Sequence, residues 1–152
     1  VLGIEDILFS AIVFGIGGGI MNVILNTQSI EVKEFGNKRS RYLIAACVLL
    51  GSLIILTNIF GLNSIYASSL GFIFLASIIW YERPDLTKPS LVGMIFWLLF
   101  IALFYNIVLI FWPTLFKEWW FLENLSGVIF LQIPLEEFIW FGTFGLVISI
   151  VY

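Results

Sequence analysis

The chain has 152 residues, of which 61% are hydrophobic and 11% charged, against roughly 25% charged in an ordinary soluble domain. A mean hydropathy of +1.10 leaves too few polar residues to coat a soluble surface, so the chain reads as an integral membrane protein. The absence of histidine, the single Cys47 and a formal net charge of −3 without a basic stripe exclude Ser-His-Asp triads, histidine-ligated zinc or haem, cysteine zinc or iron–sulfur centres, an internal disulfide and nucleic acid as a partner.

About 20 apolar residues are needed for a helix to cross roughly 30 Å of hydrocarbon. Five stretches supply them: residues 4–25, 42–60, 64–81, 91–112 and 126–152. The first contains Gly15 and Gly19, a small-residue pair of the kind that lets two helices approach closely. Ile20 stands in the final glycine position of a dinucleotide fingerprint, so these glycines are not a nucleotide loop. The polar loop 26–41 carries Lys33, Lys38, Arg39 and Arg41. Gly61 and Asn63 mark a tight turn, making the second and third stretches a helical hairpin. Arg83 and Lys88 lie in the segment 82–89, and Asn106 interrupts the fourth stretch. The loop 113–124 is aromatic and acidic, and Trp112, Trp119, Trp120 and Phe121 are expected to form an aromatic belt at the interface. Gln132 is a polar residue inside the last stretch; it and Asn106 are expected to bond neighbouring helices, and Asn106 could also meet the acids described below.

Runs such as 96–104 do not alternate with period two, which argues against a β-barrel. The expected fold is therefore all-α, a polytopic transmembrane bundle of about five helices, with residues 1–152 forming one membrane domain. Because the chain begins at Val1 and not Met, a preceding part of the protein is expected to be missing. Six of the seven basic residues fall in the loops 26–41 and 82–89, with only Lys117 opposite. The positive-inside rule then puts the N-terminus outside and the C-terminus in the cytoplasm, in the cell membrane.

The chemistry available lies in the carboxylates. Gly3-Ile4-Glu5-Asp6-Ile7-Leu8-Phe9 aligns without a gap on Pro134-Leu135-Glu136-Glu137-Phe138-Ile139-Trp140, an internal repeat of an acidic pair followed one turn later by an aromatic residue. With five crossings the two copies run in the same direction and place both pairs at similar depth. One reading makes Pro134 the start of a helix, with Glu136 and Glu137 in a first turn favoured by the helix dipole. The other notes that 126–133 is apolar and uncharged, which would carry the pair below the interface. Intramembrane acids cost several kcal/mol and face a bundle interior, where they mark functional sites. A carboxyl group in such surroundings can hold its proton and act as a general acid. Adjacent helical residues point about 100° apart, so one member would donate while the other orients it or bonds a neighbouring helix. The Trp140 ring, one turn on, can stabilise a cation through its π face.

Ile133-Pro134-Leu135-Glu136-Glu137-Phe138 resembles the Pro-x-Glu-Glu/Asp signature of the lycopene cyclase domain family, and Gly3-Ile4-Glu5-Asp6-Ile7-Leu8-Phe9 resembles its second copy, with Gly3 in place of Pro. The resemblance implies redox-neutral ring closure at the ends of a linear carotenoid, without cofactor or metal. It implies Glu136, Glu137, Glu5 and Asp6 as the acid and base groups, with Trp140, Phe9, Phe141 and Asn106 around the substrate. The partners so implied are the carotenoid, the lipid bilayer and a second cyclase subunit or missing repeat. Glu136-Glu137 followed by Trp140-Phe141-Gly142 also resembles the first motif of CAAX-type membrane proteases, but those need histidines that this chain lacks. A non-enzymatic carrier or carotenoid-binding subunit stays open as an alternative.

Overall fold

The computed structural model describes residues 38–120 and 122–150, with residues 15, 19 and 23 placed as helical. The rest of the first expected span, with Glu5, Asp6 and Phe9, lies outside the described residues. So does Phe121. Gly15 and Gly19 are exposed, and a side chain at either would meet nothing within 4 Å among the described residues.

Five α-helices lie among the described residues: α1 (Lys38–Asn58), α2 (Ser64–Glu82), α3 (Thr87–Phe111), α4 (Leu115–Trp119) and α5 (Leu135–Ile148). Short 3-10 turns occupy Pro84–Leu86 and Leu122–Asn124, and an antiparallel hairpin joins β1 (Ile129–Phe130) to β2 (Ile133–Pro134). The expected α1–α2 hairpin forms as the turn residues dictate. Gly61 takes φ +64°, a conformation glycine adopts without steric penalty. Asn63 then caps α2, its side-chain oxygen accepting the Ile65 N–H at 2.9 Å, which satisfies one of the helix's free donors. Pro84 cannot continue α2 by backbone hydrogen bonding and opens the short turn into α3.

Two helical stretches, Ser64–Glu82 and Pro84–Phe111, are long and apolar enough to cross a membrane by length and composition. Many of their large side chains, among them Phe74, Leu99, Leu103, Ile110 and Phe111, are exposed on the outside, while others, such as Phe72, Trp97 and Ile101, are buried. The interior is built where α5 packs between α2 and α3, with α1 against the outer side of α2. Small residues set how closely α3 and α5 approach. A Cβ added to Gly93 would lie 2.6 Å from the Gly145 carbonyl oxygen, and one added to Gly145 would lie 2.8 Å from that of Gly93. Ser90, fully buried beside them, donates to the Leu146 carbonyl at 2.5 Å. Above this crossing the core is aromatic. Trp140 stacks on Phe144 with ring centroids 5.4 Å apart, Trp97 meets Phe144 edge-on at 5.2 Å, and Phe72 of α2 meets both Trp140 and Phe144 edge-on at 5.9 Å.

The expected last span, 126–152, differs from the observed structure. Residues 126–134 are loop and hairpin, and the helix begins only at Leu135. Gly127 has φ +76°, and Leu131 and Gln132 have φ +51° and +64°, so the two residues between β1 and β2 both adopt the left-handed conformation of a type I′ hairpin turn. Pro134, at the N-cap, then leads into α5. Gln132 is consequently exposed at the turn and not placed within a span. The hydropathy of 126–134 is that of a helix; its backbone is not.

Candidate active site

The two acids stand in the first turn of α5, as the helix-start reading has it, and they are nevertheless shielded: Glu136 is 0% exposed and Glu137 8%. Against Glu136 lie Tyr66 and the loop residue Ser126, and against Glu137 lie Tyr105 and Trp120. Because neighbouring helical positions diverge by about 100°, the two side chains turn to different helices. Glu136 faces α2, where its Oε1 accepts a hydrogen bond from the Tyr66 hydroxyl at 2.7 Å and another from the Ser126 backbone N–H at 2.6 Å. Glu137 faces α3. Its Oε2 accepts from the Tyr105 hydroxyl at 2.8 Å, and its Oε1 from the Trp120 indole N–H at 2.8 Å.

One atom is left over. Glu136 Oε2 is buried and has no hydrogen-bond partner among the described residues. Buried polar atoms without partners are rare because each costs about 1–3 kcal/mol, and more when charged. A cleft of about 210 Å³ opens beside this residue, walled by Leu122, Leu125, Val128, Ile129 and Pro134 with Glu136 as its acidic member. Apart from that carboxyl group, those five walls are hydrophobic side chains.

The other predicted residues fall in different surroundings. Trp140 is half-buried one turn below the acids, its indole N–H donating to Ser68 Oγ at 3.1 Å. Phe141 is buried in the aromatic core, stacked on Trp97 at 5.9 Å and edge-on to Trp140 at 4.9 Å. The Asn106 side-chain amide donates to the Ala102 carbonyl of its own helix at 2.7 Å, and it is the preceding residue, Tyr105, that reaches an acid. The aromatic belt is divided. Trp112 and Trp119 are exposed and meet edge-on at 5.8 Å, whereas Trp120 turns inward to Glu137.

Tyr66, Tyr105, Trp120 and Ser126 are thus the site residues that sequence reasoning missed. A signal for the tyrosines existed: a phenol in an apolar helix needs a hydrogen-bond partner when buried, and the acids are the obvious acceptors. Nothing comparable marks Ser126, which contributes its backbone.

Fold and site together define a helical bundle with an apolar exterior that keeps two carboxyl groups and their donors inside one end. The family model for lycopene cyclase matches residues 63–152. That region takes in α2 to α5, both acids and all four of their partners. The chain belongs to the lycopene cyclase family, and with it to the carotenoid cyclase type of function and to carotenoid biosynthesis. No curated protein and no solved structure matches it.

Proposed function

We propose that the protein is a membrane-embedded isomerase that closes a ring at the end of a linear, lycopene-type polyene by proton-initiated, redox-neutral chemistry. The observation that carries this reading is Glu136: a fully shielded carboxyl group, one oxygen unpartnered among the described residues, beside an apolar cleft. A carboxylic acid there gives its proton to the terminal carbon–carbon double bond, so that a C–H bond forms, the O–H bond breaks and a tertiary cation results. A second double bond of the same chain attacks the cation, forming the ring bond and moving the positive charge into the ring. Loss of a neighbouring C–H proton restores a double bond. The product has the atoms of the substrate, and no electrons enter or leave.

Two features suit this sequence of steps. Water would trap the cation as an alcohol, and a site that excludes it avoids that side reaction. The walls contributed by Leu122, Leu125, Val128 and Ile129 carry no hydroxyl or amine of their own to do the same. Trp140 lies one turn along α5 from the acids, packed with Phe144 and with Phe72 of α2, and such π faces can stabilise positive charge. The apolar exterior of α2 and α3 faces lipid in this reading, which gives a polyene dissolved in the bilayer a route to the cleft. Glu5 and Asp6, with Phe9, would supply a corresponding acidic pair in the other copy of the repeat, and a second subunit or missing repeat would complete the functional unit.

Expressing the complete gene in cells that accumulate lycopene, followed by separation of the pigments, tests the reading. Cyclic products are expected. A pool that stays linear while the protein is present in the membrane refutes it and favours a carrier or carotenoid-binding subunit.

A further inference from the structure

Resting on the cyclase reading above, the geometry points to a division of labour between the two acids: Glu136 alone gives and retakes the proton, through Oε2, while Glu137 is a positioning residue that ties α3 and the Trp120 segment to the start of α5. The hydrogen bonds carry this. The Ser126 backbone N–H can only donate, and with Tyr66 it occupies Glu136 Oε1. A proton on this carboxyl group therefore sits on Oε2, the oxygen without a hydrogen-bond partner among the described residues, in the residue that also borders the cleft. Glu137 is arranged in the opposite way. Both of its oxygens accept from protein donors, one of them an indole N–H that cannot accept in return, and it is not among the residues walling the cleft.

The cleft also bounds what is bound. At about 210 Å³ it is smaller than the roughly 300–1,000 Å³ of a typical ligand site. It takes one terminal group of the polyene and leaves the remainder of the chain outside. The step balances on one residue. The substrate's π pair takes the proton from Glu136 Oε2, leaving a carboxylate, and after ring closure the same oxygen accepts the proton released from the ring. Tyr66 acts through Glu136, holding Oε1 and leaving Oε2 unengaged.

The test compares Glu136→Gln, Glu137→Gln, Tyr66→Phe and Tyr105→Phe in the full-length protein, in membranes supplied with lycopene. Gln at position 136 can still accept from Ser126 and Tyr66 through its oxygen, so it keeps the fold and removes only the transferable proton. Its rate should fall by roughly 10²–10⁴-fold or more, as for loss of a general acid. Glu137→Gln should still form rings, impaired far less, with its main effect on thermal stability. The tyrosines decide the same question without altering either acid. Tyr66→Phe should lower kcat with little change in KM, whereas Tyr105→Phe should lower the melting temperature more than kcat. Equal impairment of the two Gln variants, or greater impairment of Glu137→Gln, overturns the assignment, as does a larger kcat loss in Tyr105→Phe than in Tyr66→Phe. A wild-type protein that leaves lycopene linear would instead overturn the cyclase reading itself.

Discussion

A glutamate removed from solvent is tolerable only when its oxygens are satisfied or put to use, and the two acids of α5 illustrate one case each. Glu137 is satisfied by Tyr105 and Trp120; Glu136 is half satisfied, by Tyr66 and Ser126. The acidic pair itself was legible in the sequence, because carboxylates are scarce in so apolar a chain. Their partners were not, since a hydrogen bond across 70 residues, as from Tyr66 to Glu136, leaves no local pattern. Asn106 shows the converse. It was the polar residue expected near the acids, yet a helix-interior side-chain amide can be satisfied by the carbonyl four residues back, and the neighbouring phenol, which cannot bond back in this way, makes the long-range contact. Trp140 gives a prediction at this scale. Trp140→Leu should slow ring formation less than loss of Glu136. The cation–π contribution is about 1–2 kcal/mol, or roughly 5–30-fold in kcat, measured as turnover at saturating lycopene. A loss as large as that of Glu136→Gln would show that the ring does more than stabilise charge.

Among the elements, α1, α2 and α3 follow from hydropathy and turn residues, and their ends fall near the expected positions. The segment 126–134 does not, for a physical reason: Val128, Ile129, Phe130 and Leu131 are as apolar as any membrane helix but are exposed on a hairpin. Hydropathy reports a segment's preference for an apolar setting, not its backbone conformation. The hairpin turn is built from Leu131 and Gln132 at positive φ, where residues with a Cβ carry a cost of order 1–3 kcal/mol. Gln132→Gly should therefore stabilise the protein by about 1 kcal/mol, seen as a higher melting temperature in detergent; an unchanged or lower value would mean the turn is not strained. The α3–α5 crossing gives the opposite case. Gly145→Val would drive its side chain into the Gly93 backbone and Trp97 and should cost about 1–3 kcal/mol or more. It should also weaken activity, since the same contact fixes α5 and hence both acids. The GxxxG pair drew attention in the sequence, whereas Gly93 and Gly145, 52 positions apart, form their contact only once the fold exists.

At the scale of the molecule, five of the six basic residues among those described gather at one end. Lys38, Arg39 and Arg41 start α1, Arg83 follows α2 and Lys88 opens α3, and the antiparallel connections bring these positions to one end of the bundle. Tyr66, Lys117 and the two acids lie at the other; Tyr66 and Arg83 are 17 residues apart along α2, roughly 25 Å. If the bundle spans a membrane with the basic end inside, cysteines placed at Asn37 and Glu123 in a Cys47→Ser background should label from opposite sides with an impermeant reagent. The replacement is needed because Cys47 is exposed. Labelling of both from one side would contradict this topology. The central claim is chemical, however, and a single-turnover experiment tests it most directly. The protein, equilibrated in heavy water and held in excess over lycopene, should return cyclic carotenoid with one non-exchangeable deuterium in each new ring, delivered from the Glu136 carboxyl group; rings formed without deuterium would contradict proton-initiated closure.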